Sequence, residues 1–142
     1  MSKVRVHPTD DIEWVTLRSL YPEHLAVKHS DAELDSTMSW HEAGTDGSLH
    51  LTEYKYLPNA NFDLHAHDLA EIIYVLEGSM IFGNRELGPG SSAYIGADTL
   101  YGFAAGDQGL RILIFMGDGR FKTYSKDDVL RLRSEKEGIA AA

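Results

Sequence analysis

Along the middle of the chain, apolar and polar residues alternate over short runs, and a glycine or other turn residue closes nearly every run. Alternation of period two marks a half-buried strand, because successive side chains leave opposite faces of the pleat. The pattern predicts strands over Leu25 to Lys28, Met38 to His41, Leu49 to Leu57, Asp63 to His67, Glu71 to Leu76, Met80 to Phe82, Ser92 to Ile95, Tyr101 to Ala104 and Leu110 to Met116. Gly78, Gly83, Gly88, Gly96 and Gly109 are among the residues that divide them. Many short strands at close spacing point to an all-β sandwich or barrel. The two ends differ from this middle. An N-terminal arm, residues 1–24, begins with a turn at Pro8-Thr9-Asp10-Asp11 and continues extended through Trp14. The indole of Trp14 is too large to leave bare cheaply, so it covers the barrel or a neighbouring subunit. Ser125 is placed to cap a helix over about 126–136, with Asp127 and Asp128 in its first turn and Gly138 as its stop.

Size and charge narrow the function classes. A chain of 142 residues with 43% hydrophobic content is read as one domain over residues 1–142, able to bury a real core. The longest apolar run, Ile112 to Met116, is far below the roughly 20 residues that span a bilayer. The first residues carry no apolar h-region, so the expected location is cytoplasmic and no membrane partner is expected. With no cysteine there is neither a disulfide nor a thiolate ligand or nucleophile. Thirteen Lys and Arg against 22 Asp and Glu leave a net charge of −9, which argues against nucleic acid as a partner.

The chemistry concentrates in one segment: His65-Ala66-His67, then Glu71, then Gly78. On a strand, residues i and i+2 share a face, so His65 and His67 direct their imidazoles into one space. A turn then brings in the Glu71 carboxylate. Two imidazoles and a carboxylate suit a divalent transition metal, with iron, manganese, nickel, copper and zinc all compatible, and leave coordination positions open. This segment resembles the first motif of the cupin family, a His-x-His, a Glu and a Gly after a strand. The second cupin motif is altered. Leu87-Gly88-Pro89-Gly90 supplies the usual turn and Tyr94-Ile95 the strand, but the position of the usual final histidine falls on Tyr101, and no histidine follows His67.

The resemblance covers about 49–116 and implies a double-stranded β-helix, or jelly-roll barrel, flanked here by the N-terminal arm and the C-terminal helix. It also implies a homodimer with one metal per chain on His65, His67 and Glu71. The leading function it implies is dioxygenase-like oxidation of a small oxygenated organic substrate. A non-oxidative isomerase or lyase and a noncatalytic small-molecule-binding module are the alternatives. Tyr101 has three readings: a catalytic hydrogen-bond or proton donor beside the metal, a phenolate ligand, or a packing residue.

Within the Leu49 to Leu57 strand, His50, Thr52, Tyr54 and Tyr56 share one face, and Leu51, Glu53, Lys55 and Leu57 the other. If the first set faces inward, phenols line a pocket suited to a flat oxygenated molecule, and His50 is in place to supply the missing ligand. If the second does, Glu53 and Lys55 form a buried ion pair. His41 is a weaker candidate of the same kind. His7, His24 and His29 are assigned structural or exposed positions.

Overall fold

The computed structural model describes the backbone of residues 4–141 and the side chains of residues 4–136. Nine strands form one antiparallel system: β1 (Val15–Thr16), β2 (Thr37–Glu42), β3 (His50–Tyr56), β4 (Asn61–His67), β5 (Glu71–Phe82), β6 (Arg85–Leu87), β7 (Ser92–Ile95), β8 (Tyr101–Met116) and β9 (Thr123–Ser125). The strands run in the order β1-β2-β3-β8-β4-β9, and β5, which also carries β6 and β7, lies on the other edge of β8. β8 is the centre of the fold. One edge of it pairs first with β4 and then with β3, while the opposite edge pairs with β5. A strand bent in this way rolls the sheet over on itself as a jelly-roll barrel.

The core sits inside this roll. Ile73, Val75 and Met80 of β5 and Ile112 of β8 are fully buried. Each contributes about 1.5–3 kcal/mol relative to an exposed side chain.

Two of the predicted strand pairs turn out to be single long strands. Glu71 to Leu76 and Met80 to Phe82 join as β5, and Tyr101 to Ala104 and Leu110 to Met116 join as β8. The glycines between them bend a strand instead of ending it. The β5–β8 register shifts on both sides of Gly78, whose φ is +73°. A Cβ at Gly78 would lie 2.1 Å from the Gly109 carbonyl oxygen, so both the backbone angle and the close approach require glycine.

The predicted strand at Leu25 to Lys28 is a correction: the chain there forms α1 (Glu23–Ala26), followed by α2 (Asp31–Leu34). Pro22 precedes the first helical residue and Glu23 opens the first turn, which are helix-start signals that outweigh a short apolar run. Strands β1, β6 and β9 were not anticipated by the hydrophobic pattern, being only two or three residues long. At the C-terminus, α3 (Lys126–Ala141) follows β9 directly and runs on through Gly138. Ser125 caps it as expected, its Oγ accepting from the Asp128 amide at 3.1 Å while Asp128 Oδ2 accepts from the Ser125 amide at 3.1 Å.

Trp14 is half-buried against its own chain, with the Lys55 ammonium 4.0 Å from the ring centre. Among the described residues no helix is long and apolar enough to cross a membrane.

Candidate functional site

Pleating decides which side chains enter the barrel. On β5, Glu71, Ile73 and Val75 are buried and Ile72 and Tyr74 are exposed, so the carboxylate shares the core face. Met116 of β8 pairs with Glu71 on one side and with His50 of β3 on the other. His50, Met116 and Glu71 therefore form one row across three strands, on one face. On β4, His65 lies opposite Tyr101, with ring centres 4.5 Å apart, and His67 lies opposite Thr123 of β9. The His65 and His67 rings are 5.1 Å apart.

His50, His65, His67, Glu71, Tyr101, Met116 and Thr123 all line one cavity of about 690 Å³. That volume lies within the range of small-molecule sites.

The imidazoles are held in defined orientations. His65 Nδ1–H donates to the Asp63 carbonyl at 2.9 Å, and His50 Nδ1–H donates to the Ala43 carbonyl at 2.8 Å. A carbonyl only accepts, so each ring carries its proton on Nδ1 and keeps its lone pair on Nε2. His67 Nδ1 meets the Thr123 hydroxyl at 3.0 Å, leaving Nε2 3.8 Å from Glu71 Oε1. Such partners fix a ring for ligation by the other nitrogen.

Burial sets the charges. It lowers the pKa of His65, and it lowers that of His67 to about 4, with further repulsion from His65. Both imidazoles are neutral at pH 7, the state a metal requires. Burial also pushes Glu71 up to about 7, outweighing the opposing effect of the Tyr101 hydroxyl. Tyr101 is driven far above its ordinary value by burial and by the neighbouring Glu71, so the phenol keeps its proton.

Glu71 is the anomaly of the site. The residue is 2% exposed, yet neither carboxylate oxygen has a hydrogen-bond partner among the described residues. The Tyr101 hydroxyl faces the carboxylate closely enough to affect its pKa, without completing a well-formed hydrogen bond. A buried carboxylate without partners is costly and calls for a cation. The donor set fits a divalent metal in its chemistry: neutral imidazoles, with the Nε2 lone pairs of His65 and His50 free, beside an unpartnered carboxylate. With the side chains as they stand, no three His, Asp or Glu groups among the described residues converge on one point.

A pH dependence follows for metal-free protein. A carboxyl with a raised folded pKa costs nothing below its unfolded value near 4.5, and its full cost is present above about 7. Glu71→Gln is therefore expected to match wild type at pH 4 and to exceed it by up to about 3 kcal/mol at pH 8 in urea denaturation. His67 works in the opposite sense, since its lowered pKa costs stability as pH falls from 6.5 to about 4. The two slopes oppose each other in wild type, and the variant removes that of Glu71. Equal stabilities at both pH values would refute a buried charge at Glu71.

The inward set on β3 is His50, Thr52, Tyr54 and Tyr56, all of which line the cavity. Glu53 lies on the opposite face but is also buried, where it pairs with Arg111 and accepts from His41 Nε2 at 3.1 Å. The ion pair considered with Lys55 is thus made with Arg111, outside the cavity. His41 belongs to that outer cluster and does not line the pocket. His29, given a structural or exposed position from sequence, lines the cavity together with Tyr21 and Glu33. Phe121 was also missed: its ring lies 4.9 Å from that of His50 and 5.3 Å from that of His67. Its only signal is a place just after the Asp118-Gly119-Arg120 turn, which carries no chemistry of its own.

No protein-family model matches the sequence, and no curated protein does. Solved structures do match, and they define the fold. An RmlC-like cupin protein from Ralstonia eutropha JMP134 is 16% identical, with 85% of this chain and 72% of that one covered at a TM-score of 0.61. The polyketide cyclase RemF from Streptomyces resistomycificus is 26% identical over 82% of this chain and 80% of its own, at 0.58. An acetylacetone dioxygenase from Acinetobacter johnsonii is 14% identical over 82% and 75%, at 0.59. The chain has the cupin fold. Proteins of different activities share that fold, so the activity has to be argued from the site.

Proposed function

We propose that this protein is a metal-dependent enzyme that oxidises a small oxygenated organic molecule in the manner of a dioxygenase. The observation that carries this reading is the buried, unpartnered Glu71 carboxylate beside two oriented, neutral imidazoles at the wall of an aromatic-rich cavity. His65 Nε2, His67 Nε2 and Glu71 are the ligands, and His50 Nε2 is a fourth nitrogen on the Glu71 row. A divalent iron, manganese, nickel, copper or zinc ion bound there supplies Lewis acidity and, where redox-active, a route for electrons to dioxygen.

The chain's own groups do the rest. Glu71 would supply negative charge and the neutral imidazoles lone pairs, in a site where burial strengthens both interactions. Tyr101 holds a proton at its hydroxyl, opposite His65, ready to donate to a substrate oxygen. Tyr54, Tyr56 and Phe103 form an aromatic wall against which a flat molecule stacks.

Oxygen uptake tests the reading. Protein reconstituted in turn with iron, manganese, nickel and copper is expected to consume oxygen with at least one member of a panel of β-diketones, catechols and hydroxyketones. Metal-replete protein that binds panel compounds without oxygen loss or product would point to the non-oxidative or noncatalytic alternatives.

The proposed enzyme acts as a homodimer. On the outer face, Leu51, Phe115, Ile72 and Tyr94 align across β3, β8, β5 and β7, and the last three are 39%, 44% and 72% exposed. An apolar band of this kind across a sheet suits a second copy of the chain. Light scattering is expected to give a mass near twice 15.8 kDa, and a concentration-independent monomer would exclude it.

A further inference from the structure

The cavity is unequal in its polar groups. Four carboxylates line it, Glu33, Asp63, Glu71 and Asp128, and among the described residues no Lys or Arg does. Glu71 lies at one end. Glu33 stands on another part of the wall, on α2, which packs against β4 and the Leu17–Leu20 turn, and not on the β3–β8–β5 row that carries Glu71.

The Glu33 end is built by the N-terminal segment. α2 is capped by Ser30, whose Oγ accepts from the Glu33 amide at 3.2 Å. This places the Glu33 side chain at 4% exposure against the cavity, with its Oε2 2.6 Å from His29 Nδ1. The His29 ring is stacked on Tyr21, centres 4.6 Å apart. Burial and the Asp63 charge push Glu33 up to about 7, and its Oε2 lies within hydrogen-bond reach of the His29 ring. The Thr52 hydroxyl lies in the cavity wall at 1% exposure with no hydrogen-bond partner among the described residues. Tyr54 lies beside it without completing a hydrogen bond. An unpartnered hydroxyl so deeply buried marks a position that a polar ligand atom completes.

We infer that the cavity has a second recognition pole, Glu33 with His29 and Tyr21, which receives the hydrogen-bond-donating or cationic end of an uncharged or cationic substrate. Carboxylates and phosphates are rejected, since no cation offsets the carboxylates that face them. The inference rests on the proposed metal end only for where the substrate's other end lies.

A matched series separates the two. Catechol, 4-(2-aminoethyl)catechol and 3-(3,4-dihydroxyphenyl)propionate carry the same chelating end with a neutral, cationic or anionic substituent. Calorimetric titration into zinc-loaded protein, where no turnover intervenes, is expected to rank the amine tightest and the propionate weakest, at least about tenfold apart. Glu33→Gln is expected to reduce that ratio to below about threefold and leave affinity for catechol itself and zinc content unchanged. His29→Gln, which retains the Glu33 charge, is expected to keep the ratio at or above the wild-type value. The wild-type ranking needs no variant to fold. Propionate binding as tightly as the amine, an unchanged ratio in Glu33→Gln, or no binding of any of the three would overturn the inference. Protein that takes up no metal would defeat the metal centre instead, and the same ranking is then read on metal-free protein.

Discussion

Replacing His65 and His67 together with alanine is expected to lower bound metal from about one ion per chain to none, with oxygen consumption lost alongside it. The two rings supply two of the site's nitrogen donors, His67 Nε2 lying 3.8 Å from Glu71 Oε1, and each is already oriented by a partner that costs little to abandon: a backbone carbonyl for His65 and a hydroxyl for His67. Removing them should cost the fold little. Both side chains line a cavity instead of filling the core, and β4 keeps its backbone pairing to β8 and β9. Elemental analysis of untagged protein, with circular dichroism as the control on folding, makes the comparison. Stoichiometric metal in the double variant, or none in the parent grown with metal supplied, would sink the ligand assignment.

Tyr101→Phe is expected to reduce turnover of a responsive substrate by about 10²- to 10⁴-fold, the range for loss of a general acid or base. Metal content should hold, because the phenol keeps its proton and binds no metal in that state. The ring packs against His65 and Phe103, and the phenylalanine ring preserves those contacts. Tyr101→His offers the complementary measurement, since an imidazole at a position opposite His65 should tighten metal binding. Unchanged activity in the first variant and unchanged affinity in the second would together move Tyr101 out of the chemistry.

Local periodicity explains which features were readable. β7 runs from Ser92 to Ile95 as the alternation predicts, and β3 presents His50, Thr52, Tyr54 and Tyr56 to the cavity because a strand repeats every two residues. The spacing of His65 and His67 likewise fixes a shared face. Continuity of β5 and β8 was not readable, because a glycine at a bulge has the same one-letter signature as a glycine at a turn. Gly78 bends β5 only because Gly109 of a distant segment packs against it. His29, Glu33 and Phe121 were missed for the related reason that the strand pattern says nothing about the wall opposite β3. That wall is assembled from short helices and a loop whose positions are set by packing. Glu53 shows the limit of alternation: it faces outward and is still buried, under Arg111 and His41.

The central position of β8 has a consequence for how the chain comes to be folded during synthesis. β3, β4 and β5 each leave an edge that only β8 closes, and the one other partner of β4 is β9, which is made later still. A chain of which only residues 1–100 have emerged therefore holds three strands with open edges, and β4 with no strand partner among the described residues. Open edges invite pairing between chains, and contacts so distant in sequence close slowly. Translation that stalls before Tyr101 should yield aggregation-prone fragments, whereas release of the next sixteen residues supplies the strand that joins all three at once.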